Sequence, residues 1–490
     1  MTFPVEEIYR TEGVPEYTFV RPPNYNEILV DLRNPGKPMV VEGQSGTGKT
    51  TAVRKIIERS LPDYNFEYLS ARNASDVAKI GEIATNGGPG SYVIDDFHRL
   101  ANHIQEQLGD VVKIAAEEND PDSYPKIVLI GINRVGSELI HFVPDVAKRV
   151  GIHRIQPADE EGTMQLIQRG EENLNISIEN KEVIFNETQG DYWVTQLLCQ
   201  MICLLRDVTE TLPDTTNIPF DIAVIRNRVA DRLEHTYNEA VKEFCRGKRF
   251  RSSNDPYFKL LREVSRQDSS IVDLQMLANS APEVKGSINN IKEKRLSILL
   301  DSKPICSRYF YYNSETKNFA IEDPALFYYL KHLDWEELRQ ECGFKHTDKD
   351  YEFDFAISFA GENREIARTI AIQLEVMDCS VFFDELFENN YLGKAWGRTF
   401  EEIFKQRSRL VVCVLDEFHR EKIWPTFERE CFSPRVADEA VIPVFLDETV
   451  FPGIPQDIVG IKFQRDPSKD IDDQVTDDIV FRILERLDDV

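Results

Sequence analysis

Short apolar runs alternate with stretches of helical spacing over the first third of the chain. The runs that predict strands span 39–43, 66–71, 91–96, 126–133 and 151–155. Between them, apolar residues recur at intervals of three and four, as on the buried face of a helix. Strand–helix alternation with strands this apolar predicts a parallel sheet covered by helices on both faces.

The pattern changes four times after that. Residues 157–240 read as helices, broken near 187–193 and 211–219, and predict a helical lid. Helices followed by two β-rich runs predict a winged helix, and a charged stretch then predicts a linker before the α/β alternation restarts. The predicted domains are 1–156 (α/β), 157–240 (lid), 241–335 (winged helix), 336–349 (linker) and 350–490 (second α/β domain).

Composition narrows the class of protein. The 490 residues suggest about three domains. The net charge of −27 argues against a chain that coats nucleic acid or anionic membrane. No apolar run approaches the length of a membrane span, and the first residues lack a secretory signal, so we expect a cytoplasmic protein. The eight cysteines lack metal-ligand spacing and are expected to be reduced.

The segment 43–50, GQSGTGKT, matches the phosphate-binding pattern G-x-x-x-x-G-K-[ST]. Its glycines let backbone N–H groups turn toward phosphates at a helix N-terminus. Lys49 is expected to reach the β- and γ-phosphates, and the Thr50 hydroxyl to bind Mg²⁺. The candidate nucleotide-binding residues here are Gly43, Ser45, Gly46, Thr47, Gly48, Lys49, Thr50 and Thr51.

Polar residues at two strand ends complete the predicted nucleotide site. The run YVIDD ends in Asp95, a candidate Mg²⁺ ligand through water, and Asp96, which would position an attacking water. Asn133 ends the strand IVLIGIN, where a polar residue can sense the γ-phosphate. Asn also ends strands for local turn reasons.

With these motifs in this order, residues 1–335 resemble a P-loop NTPase of the STAND or AAA+ type. The resemblance implies ATP and Mg²⁺ as cofactors and a nucleotide-controlled switch that oligomerises when triggered. It also implies an arginine sensor or finger at Arg149 or Arg154, although each is equally interpretable as a surface ion-pair residue.

Winged helices often bind DNA, and a basic cluster lies at the start of the predicted one. Its members are Lys242, Arg246, Lys248, Arg249 and Arg251. Such a run is usually a solvated face, but it can also contact phosphates. In switch ATPases the winged helix often packs against the nucleotide domain instead, so both interpretations stay open.

The last domain resembles a TIR (Toll/interleukin-1 receptor) domain over 350–490. The segments that carry the resemblance are DFAISFAGENR at 354–364, VFFD at 381–384, LGK at 392–394, SRLVVCVL at 408–415 and WPTFE at 424–428. This family has a flavodoxin-like α/β fold. The predicted fold class is therefore α/β throughout, with a P-loop sheet, a lid and a winged helix before the TIR domain.

Enzymatic members of that family cleave NAD⁺, using a glutamate four residues after a tryptophan. Here the tryptophan is Trp424 and the glutamate is Glu428. A carboxylate suits a reaction in which positive charge develops on the ribose. The resemblance also places Trp424 and Phe427 against the cofactor, with the backbone of Phe359, Ala360 and Gly361 at the strand end. The alternative is an amphipathic helix start without catalysis.

Together these features predict a nucleotide-gated immune effector. ATP and Mg²⁺ binding with a phage- or nucleic-acid-derived cue would drive self-association and activate cleavage of NAD⁺ to nicotinamide and ADP-ribose, without a membrane partner. The resulting loss of NAD⁺ would halt an infected cell. Two alternatives stay open: a TIR scaffold on an ATPase switch, and a DNA-associated ATPase, which would show salt-sensitive stimulation by DNA.

Overall fold

The computed structural model describes residues 2–35, 37–118, 120, 122–132, 149–345, 350–383, 400–422, 433–452, 454–455 and 458–489. The chain forms two compact units, neither continuous in sequence. The first consists of Met1–Tyr237, Asp268–Ile271 and Ile321–His332. The second consists of Asn238–Gln267, Val272–Ala320 and Leu333–Val490.

A five-stranded parallel sheet forms the centre of the first unit. Its strands are β1 (Met39–Glu42), β2 (Phe66–Ser70), β3 (Gly90–Asp95), β4 (Pro125–Gly131) and β5 (Gly151–Arg154). Their order across the sheet is β2-β3-β4-β1-β5. All five lie where the apolar runs predict strands, and β1 and β4 are buried along their whole length.

Helices cover both faces of this sheet, as predicted. They are α2 (Tyr25–Arg33), α3 (Lys49–Ser60), α4 (Ala74–Asn86) and α5 (Asn102–Glu118). The short helix before them, α1 (Val5–Ile8), packs instead against helices of the predicted lid. Successive strand residues alternate between two apolar clusters, because side chains alternate across a strand. Val40 packs in the cluster that includes residues of α4 and α5, and Val41 packs in the cluster that includes residues of α2 and α3.

The predicted lid is helical, with two short strands that the sequence pattern does not indicate. Its elements are α6 (Glu160–Leu174), β6 (Ile176–Ile178), α7 (Glu182–Thr188), α8 (Tyr192–Leu204), β7 (Thr216–Ile218) and α9 (Ile222–Cys245). The strands β6 and β7 pair in parallel. The break between α7 and α8 falls within 187–193, as expected.

Helices and a three-stranded sheet follow. The elements are α10 (Pro256–Ser265), β8 (Ile271–Asp273), α11 (Leu274–Ser280), α12 (Lys285–Lys292), α13 (Arg295–Ser302), α14 (Pro304–Ser307), β9 (Phe310–Asn313), β10 (Asn318–Ile321), α15 (Pro324–Lys331) and α16 (Trp335–Cys342). The sheet order is β8-β10-β9. β9 and β10 match the predicted β-rich runs, β8 was not expected, and α16 lies at the start of the predicted linker. The winged helix stays a prediction.

The C-terminal sheet is also parallel. Its strands are β11 (Phe353–Ser358), β12 (Val381–Phe382), β13 (Ser408–Leu415), β14 (Val441–Phe445) and β15 (Ile461–Lys462). The order β12-β11-β13-β14-β15 is the 2-1-3-4-5 order of a flavodoxin-like fold, as expected. The helices of this region are α17 (Arg364–Val376), α18 (Glu417–Lys422), α19 (Ser433–Ala437), α20 (Ile471–Val475) and α21 (Phe481–Asp489).

A buried ionic cluster joins the helices of the second unit to its parallel sheet. Arg295, at the start of α13, donates from NH1 to Asp354 Oδ2 and from Nε to Asp378 Oδ1, each at 3.3 Å. The Asn254 amide donates to the other oxygen of Asp354 at 2.8 Å. The side chains of Arg295, Asp354 and Asp378 are 9%, 3% and 3% exposed. Burial of these charges is tolerated because each has an opposite partner.

Three members of the basic cluster around the end of α9 make contacts within the same unit. Lys242 Nζ lies 2.9 Å from Glu341 Oε2, and Arg246 Nε donates to the Cys342 carbonyl at 3.3 Å. Arg251 is buried and donates to the Asp378 carbonyl at 3.0 Å. These three side chains therefore already have partners in this unit, and Arg251 is part of its interior.

Two further expectations concern cysteine and membranes. The seven cysteines of the described ranges are free and buried, in agreement with reduced thiols. Among the residues that the structure describes, none of the helices combines the length and apolarity that crossing a bilayer requires.

Replacing Arg295 with Met should destabilise the second unit by about 3–5 kcal/mol, because the change leaves two buried carboxylates without their cation. Urea denaturation of the full chain measures the loss. The control is Arg266→Met, whose half-exposed side chain pairs with Glu263 one turn away and should contribute less than about 1 kcal/mol. Equal losses from the two substitutions would contradict a stabilising role for the buried cluster.

Candidate functional site

The loop between β1 and α3 is shaped by close contacts that exclude side chains. Gly46 has a left-handed φ of 81°, and an added Cβ would meet the Asp191 carboxylate at 2.1 Å. At Gly43 the Cβ would meet the Ile155 carbonyl oxygen at 2.2 Å. Only glycine fits both positions, so the loop backbone can approach a ligand closely. Helix α3 begins directly afterwards, at Lys49.

Lys49 points back onto this loop. Its Nζ donates to the Gln44 carbonyl at 2.6 Å. Burial lowers the pKa of Lys49 to about 8, although the nearby carboxylates of Asp95, Asp96 and Asp191 favour the charged form. The lysine thus remains mostly protonated at neutral pH, available to a phosphate that replaces the carbonyl.

The two predicted metal ligands, Thr50 and Asp95, are in direct contact. The Thr50 hydroxyl donates to Asp95 Oδ2 at 2.7 Å, across 45 residues of sequence. Burial and the neighbouring Asp96 raise the pKa of Asp95, while the hydrogen bond from Thr50 opposes the rise. A hydroxyl and a carboxylate oxygen this close are the oxygen donors that Mg²⁺ prefers, so these residues fit the ion.

Asp96 is next to Asp95 at the end of β3, and its carboxylate forms an ion pair with an arginine. Arg72 Nε donates to Asp96 Oδ2 at 2.7 Å, and the Asp96 backbone is left-handed with φ of 58°. Burial alone would raise the pKa of Asp96, but the hydrogen bond and charge of Arg72 outweigh it and lower the pKa. The role of Asp96 in positioning an attacking water stays a prediction.

These residues line one cavity of about 330 Å³, within the size range of small-ligand pockets. The residues predicted from the sequence that line this cavity are Ser45, Gly46, Gly48, Lys49, Thr50, Thr51, Asp95 and Asp96. Thr47 is buried and donates to the Gln44 carbonyl, and it lines a smaller neighbouring cavity. Asn133 lies outside the described residues.

The smaller cavity, about 50 Å³, is lined mainly by apolar side chains that the sequence analysis missed. Phe19 and Val20 come from the segment before the first sheet, Ile155 directly follows β5, and Leu166 comes from the predicted lid. This apolar slot lies beside Gly48 and Thr51 of the loop and the start of α3. In the sequence, the apolar stretch YTFV at 17–20 is the feature that could have indicated a buried contribution from this segment.

Both candidate arginine sensors form ion pairs. Arg149 NH1 lies 2.6 Å from Glu117 Oε1. Arg154 NH2 lies 2.9 Å from Glu42 Oε1. These contacts agree with the interpretation of both residues as ion-pair residues.

An acid from a distant part of the first unit completes the cavity wall. Glu322 follows β10 in sequence, and its carbonyl accepts a hydrogen bond from Ser45 Oγ at 2.5 Å. Its carboxylate contacts His98, Arg99 and Arg72. Asp96, His98 and Glu322 are close enough to hold a metal ion, but both acids already face guanidinium groups that supply the positive charge.

The C-terminal sheet presents a second polar edge, where β11 and β13 end. Ser358 Oγ lies 2.9 Å from His419 Nε2, and both residues are buried. The Asp416 carboxylate accepts from the Asn363 amide and from the His419 backbone, both at 2.8 Å. In a sheet of this strand order, ligands bind at this switch point between the first and third strands.

The three predicted loop residues at this edge differ in what they expose. The Phe359 ring stacks on Phe383 with centroids 5.1 Å apart, and the Ala360 side chain is fully buried. A Cβ added at Gly361 would meet open space. Glu362 beside it forms an ion pair with Lys422. The loop therefore offers its backbone and Gly361 to a ligand.

Several predicted residues of this second site lie outside the described residues. They are Trp424, Phe427 and Glu428, together with the segment 392–394.

The comparisons with known proteins concern the two ends of the chain separately. Residues 355–479 match the family model described as TIR domain, so the C-terminal part of the chain is a TIR domain. The chain is 33% identical over 93 residues to the 3′ cyclic ADP-D-ribose synthase AaTIR of Aquimarina amphilecti. This match covers 19% of the chain and 28% of that relative, about a quarter of its length.

Solved structures similar to this chain include nucleotide-binding proteins. They are the ORC2 protein of Aeropyrum pernix (11% identity, TM-score 0.35, 68% of this chain and 98% of that one), a Walker-type ATPase of Pyrococcus abyssi (14%, 0.38, 64% and 100%) and the RuvB branch migration motor of Thermotoga maritima (14%, 0.34, 68% and 100%). The assignment of a P-loop fold rests on the loop, strand order and Thr50–Asp95 contact.

The buried His419 should make the TIR domain sensitive to acid. Burial lowers the pKa of His419 to about 4, below the ordinary value of about 6.5. The unfolded chain therefore binds this proton first, and the stability present above about pH 6.5 is lost as the pH falls toward 4.

Between pH 7.5 and 5, this histidine should contribute a loss of about 2 kcal/mol in the free energy of unfolding. The control is His419→Gln, which keeps a polar group near Ser358 but has no imidazole to titrate. The difference in free energy of unfolding between the wild type and this variant, measured by denaturant titration, should therefore shrink by about that amount from pH 7.5 to pH 5. Parallel pH curves for the two proteins would contradict the burial of a neutral imidazole here.

Proposed function

We propose that the TIR domain of this protein cleaves NAD⁺ at the bond between nicotinamide and ribose. The observation that carries the proposal is the TIR-domain match over 355–479, supported by the similarity to a cyclic ADP-ribose synthase. The products would be nicotinamide and ADP-ribose, in linear or cyclic form.

Glu428 is the proposed catalytic carboxylate. The C1′–N bond breaks with its electron pair going to nicotinamide, which leaves as a neutral molecule without protonation. Positive charge develops on the ribose, and a carboxylate placed beside it stabilises that charge. Water then adds to C1′ and releases a proton, or a hydroxyl of the same molecule adds and gives a cyclic product.

The described residues support a ligand at the end of the TIR sheet. Gly361 faces open space at the carboxyl end of β11. Beneath it, the Ser358–His419 and Asn363–Asp416 hydrogen bonds tie the first loop to the end of β13. Such fixed loop geometry lowers the entropy lost on binding a substrate. Trp424 and Phe427 are proposed to contact the cofactor.

We further propose that the P-loop unit binds ATP and controls the TIR domain. Thr50 and Asp95 would hold Mg²⁺, whose charge would offset that of the phosphates. Nucleotide binding and a phage- or nucleic-acid-derived cue would drive self-association in the cytoplasm and bring TIR domains together. The biological role would be antiviral defence through loss of NAD⁺.

The direct test measures NAD⁺ consumption by the full-length protein at high concentration, with Mg·ATP or ADP and with lysate from infected cells. Glu428→Gln should reduce the rate by about 10²–10³-fold, because it removes the charge that stabilises the transition state. Glu430→Gln, which removes the same charge two residues later, is the matched control and should keep most of the activity.

Equal rates for the wild type and Glu428→Gln would reject Glu428 as the catalytic residue. Consumption by neither protein, in every condition, would favour the TIR scaffold on an ATPase switch. Stimulation of ATP hydrolysis by DNA that falls steeply with salt would favour the DNA-associated ATPase.

Replacing Lys49 with Ala should weaken nucleotide binding by about 10–100-fold, because a buried charged donor to the phosphates is lost. Titration with a fluorescent ADP derivative measures the change. The control is Lys79→Ala, an exposed lysine that pairs with Glu67 on the same unit. Unchanged affinity in Lys49→Ala would contradict phosphate binding at this loop.

A further inference from the structure

Glu322 reaches the nucleotide cavity from a part of the chain remote in sequence. It lies in the short connection between β10 and α15, and its side chain is only 2% exposed. Its backbone carbonyl accepts from Ser45, a residue of the phosphate-binding loop 277 positions earlier. Its carboxylate therefore lies beside the loop that would hold the phosphates.

The carboxylate of Glu322 is bound by three side chains. Arg99 NH2 donates to Oε2, and Arg72 NH2 lies 3.2 Å from the same oxygen. His98 Nε2 lies 2.5 Å from Oε1. Burial, together with the charges of Arg99 and Arg72, lowers the pKa of His98 to about 3, so the imidazole is neutral and donates a hydrogen bond.

Arginines and carboxylates are paired at this edge of the cavity. Arg72 bridges the carboxylates of Asp96 and Glu322, and Arg99 contacts Glu322. Two guanidinium groups thus face two carboxylates in a partly dry environment. A triphosphate entering the cavity brings further negative charge next to Glu322, and like charges at short range repel strongly where water is scarce.

A phosphate is also a suitable partner for a guanidinium group. Guanidinium groups bind phosphate oxygens through paired, charge-assisted hydrogen bonds, as they bind carboxylates. Arg72 lines the cavity and its side chain is 39% exposed, so it can exchange one anion for another.

We infer that Glu322 is an internal anionic ligand of the nucleotide site, and that the terminal phosphate of a nucleoside triphosphate competes with it for Arg72, the arginine that lines the cavity. A diphosphate lacks the competing group and leaves Glu322 in place. This inference rests on the proposed binding of ATP at the loop 43–50.

The connection that carries Glu322 has other anchors in the first unit. Tyr237 donates to the Asp323 carboxylate at 2.9 Å. On α15, Tyr328 donates to Glu187 at 2.9 Å, and His332 Nε2 lies 3.1 Å from the same carboxylate. A variant at Glu322 therefore keeps these contacts, and its effect on nucleotide binding can be measured on a folded protein.

Calorimetric titration of the full chain with Mg²⁺ and either ADP or a non-hydrolysable ATP analogue tests the inference. Glu322→Gln should bind the triphosphate analogue about tenfold more tightly, because the competing charge is gone, while its affinity for ADP changes little. The control is Glu67→Gln, which removes one negative charge from an exposed residue of the same unit that pairs with Lys79 and lines neither cavity, and it should leave the ratio of affinities unchanged.

A second variant keeps the inference testable if Glu322→Gln folds poorly. Arg72→Gln should weaken binding of the triphosphate analogue more than binding of ADP. An unchanged ratio of affinities in Glu322→Gln, or equal losses for both nucleotides in Arg72→Gln, would overturn the inference. If the wild type binds neither nucleotide, the proposed nucleotide site itself fails.

Discussion

The hydrogen bond from the Thr50 hydroxyl to the Asp95 carboxylate is the contact on which the candidate nucleotide site depends. It joins the start of α3 to the end of β3, although β4 lies between β1 and β3 in the sheet. Parallel strands bring their carboxyl ends to one edge, so a loop after β1 and acids after β3 face the same space. The TIR sheet obeys the same constraint, and its polar groups lie where β11 and β13 end.

The elements that could be predicted from sequence are those with a long apolar signature. β4 is buried at every position, and its continuous apolar run leaves little ambiguity. The strands that escaped prediction are short: β6, β7 and β8 have three residues each, and β15 has two. Segments of that length show no period, so only pairing with a neighbour in the fold makes them strands.

The residues of the candidate sites also fall into two groups, those that a sequence motif reveals and those that only the fold brings together. The loop 43–50 and Asp95 are recognisable because their chemistry needs certain residue types at certain spacings. Glu322 and Asp191 carry no such pattern, since each reaches the loop through tertiary packing, Glu322 from 277 residues beyond Ser45. The same holds for Ser358 and His419, 61 residues apart. Contacts of this kind depend on topology, which local sequence does not encode.

Two arginine–carboxylate clusters show why similar chemistry has different consequences in the two units. Around Arg295 the side chains of the cluster are at most 9% exposed, so an incoming anion would have to displace buried groups without help from water. The Arg72 guanidinium is 39% exposed and lines the candidate nucleotide cavity. Exchange of partners costs less where one ion of the pair remains hydrated. The buried cluster around Arg295 therefore favours permanent attachment between elements of the fold. The partly hydrated cluster around Arg72 is instead suited to exchanging its carboxylate for a charged group of a ligand.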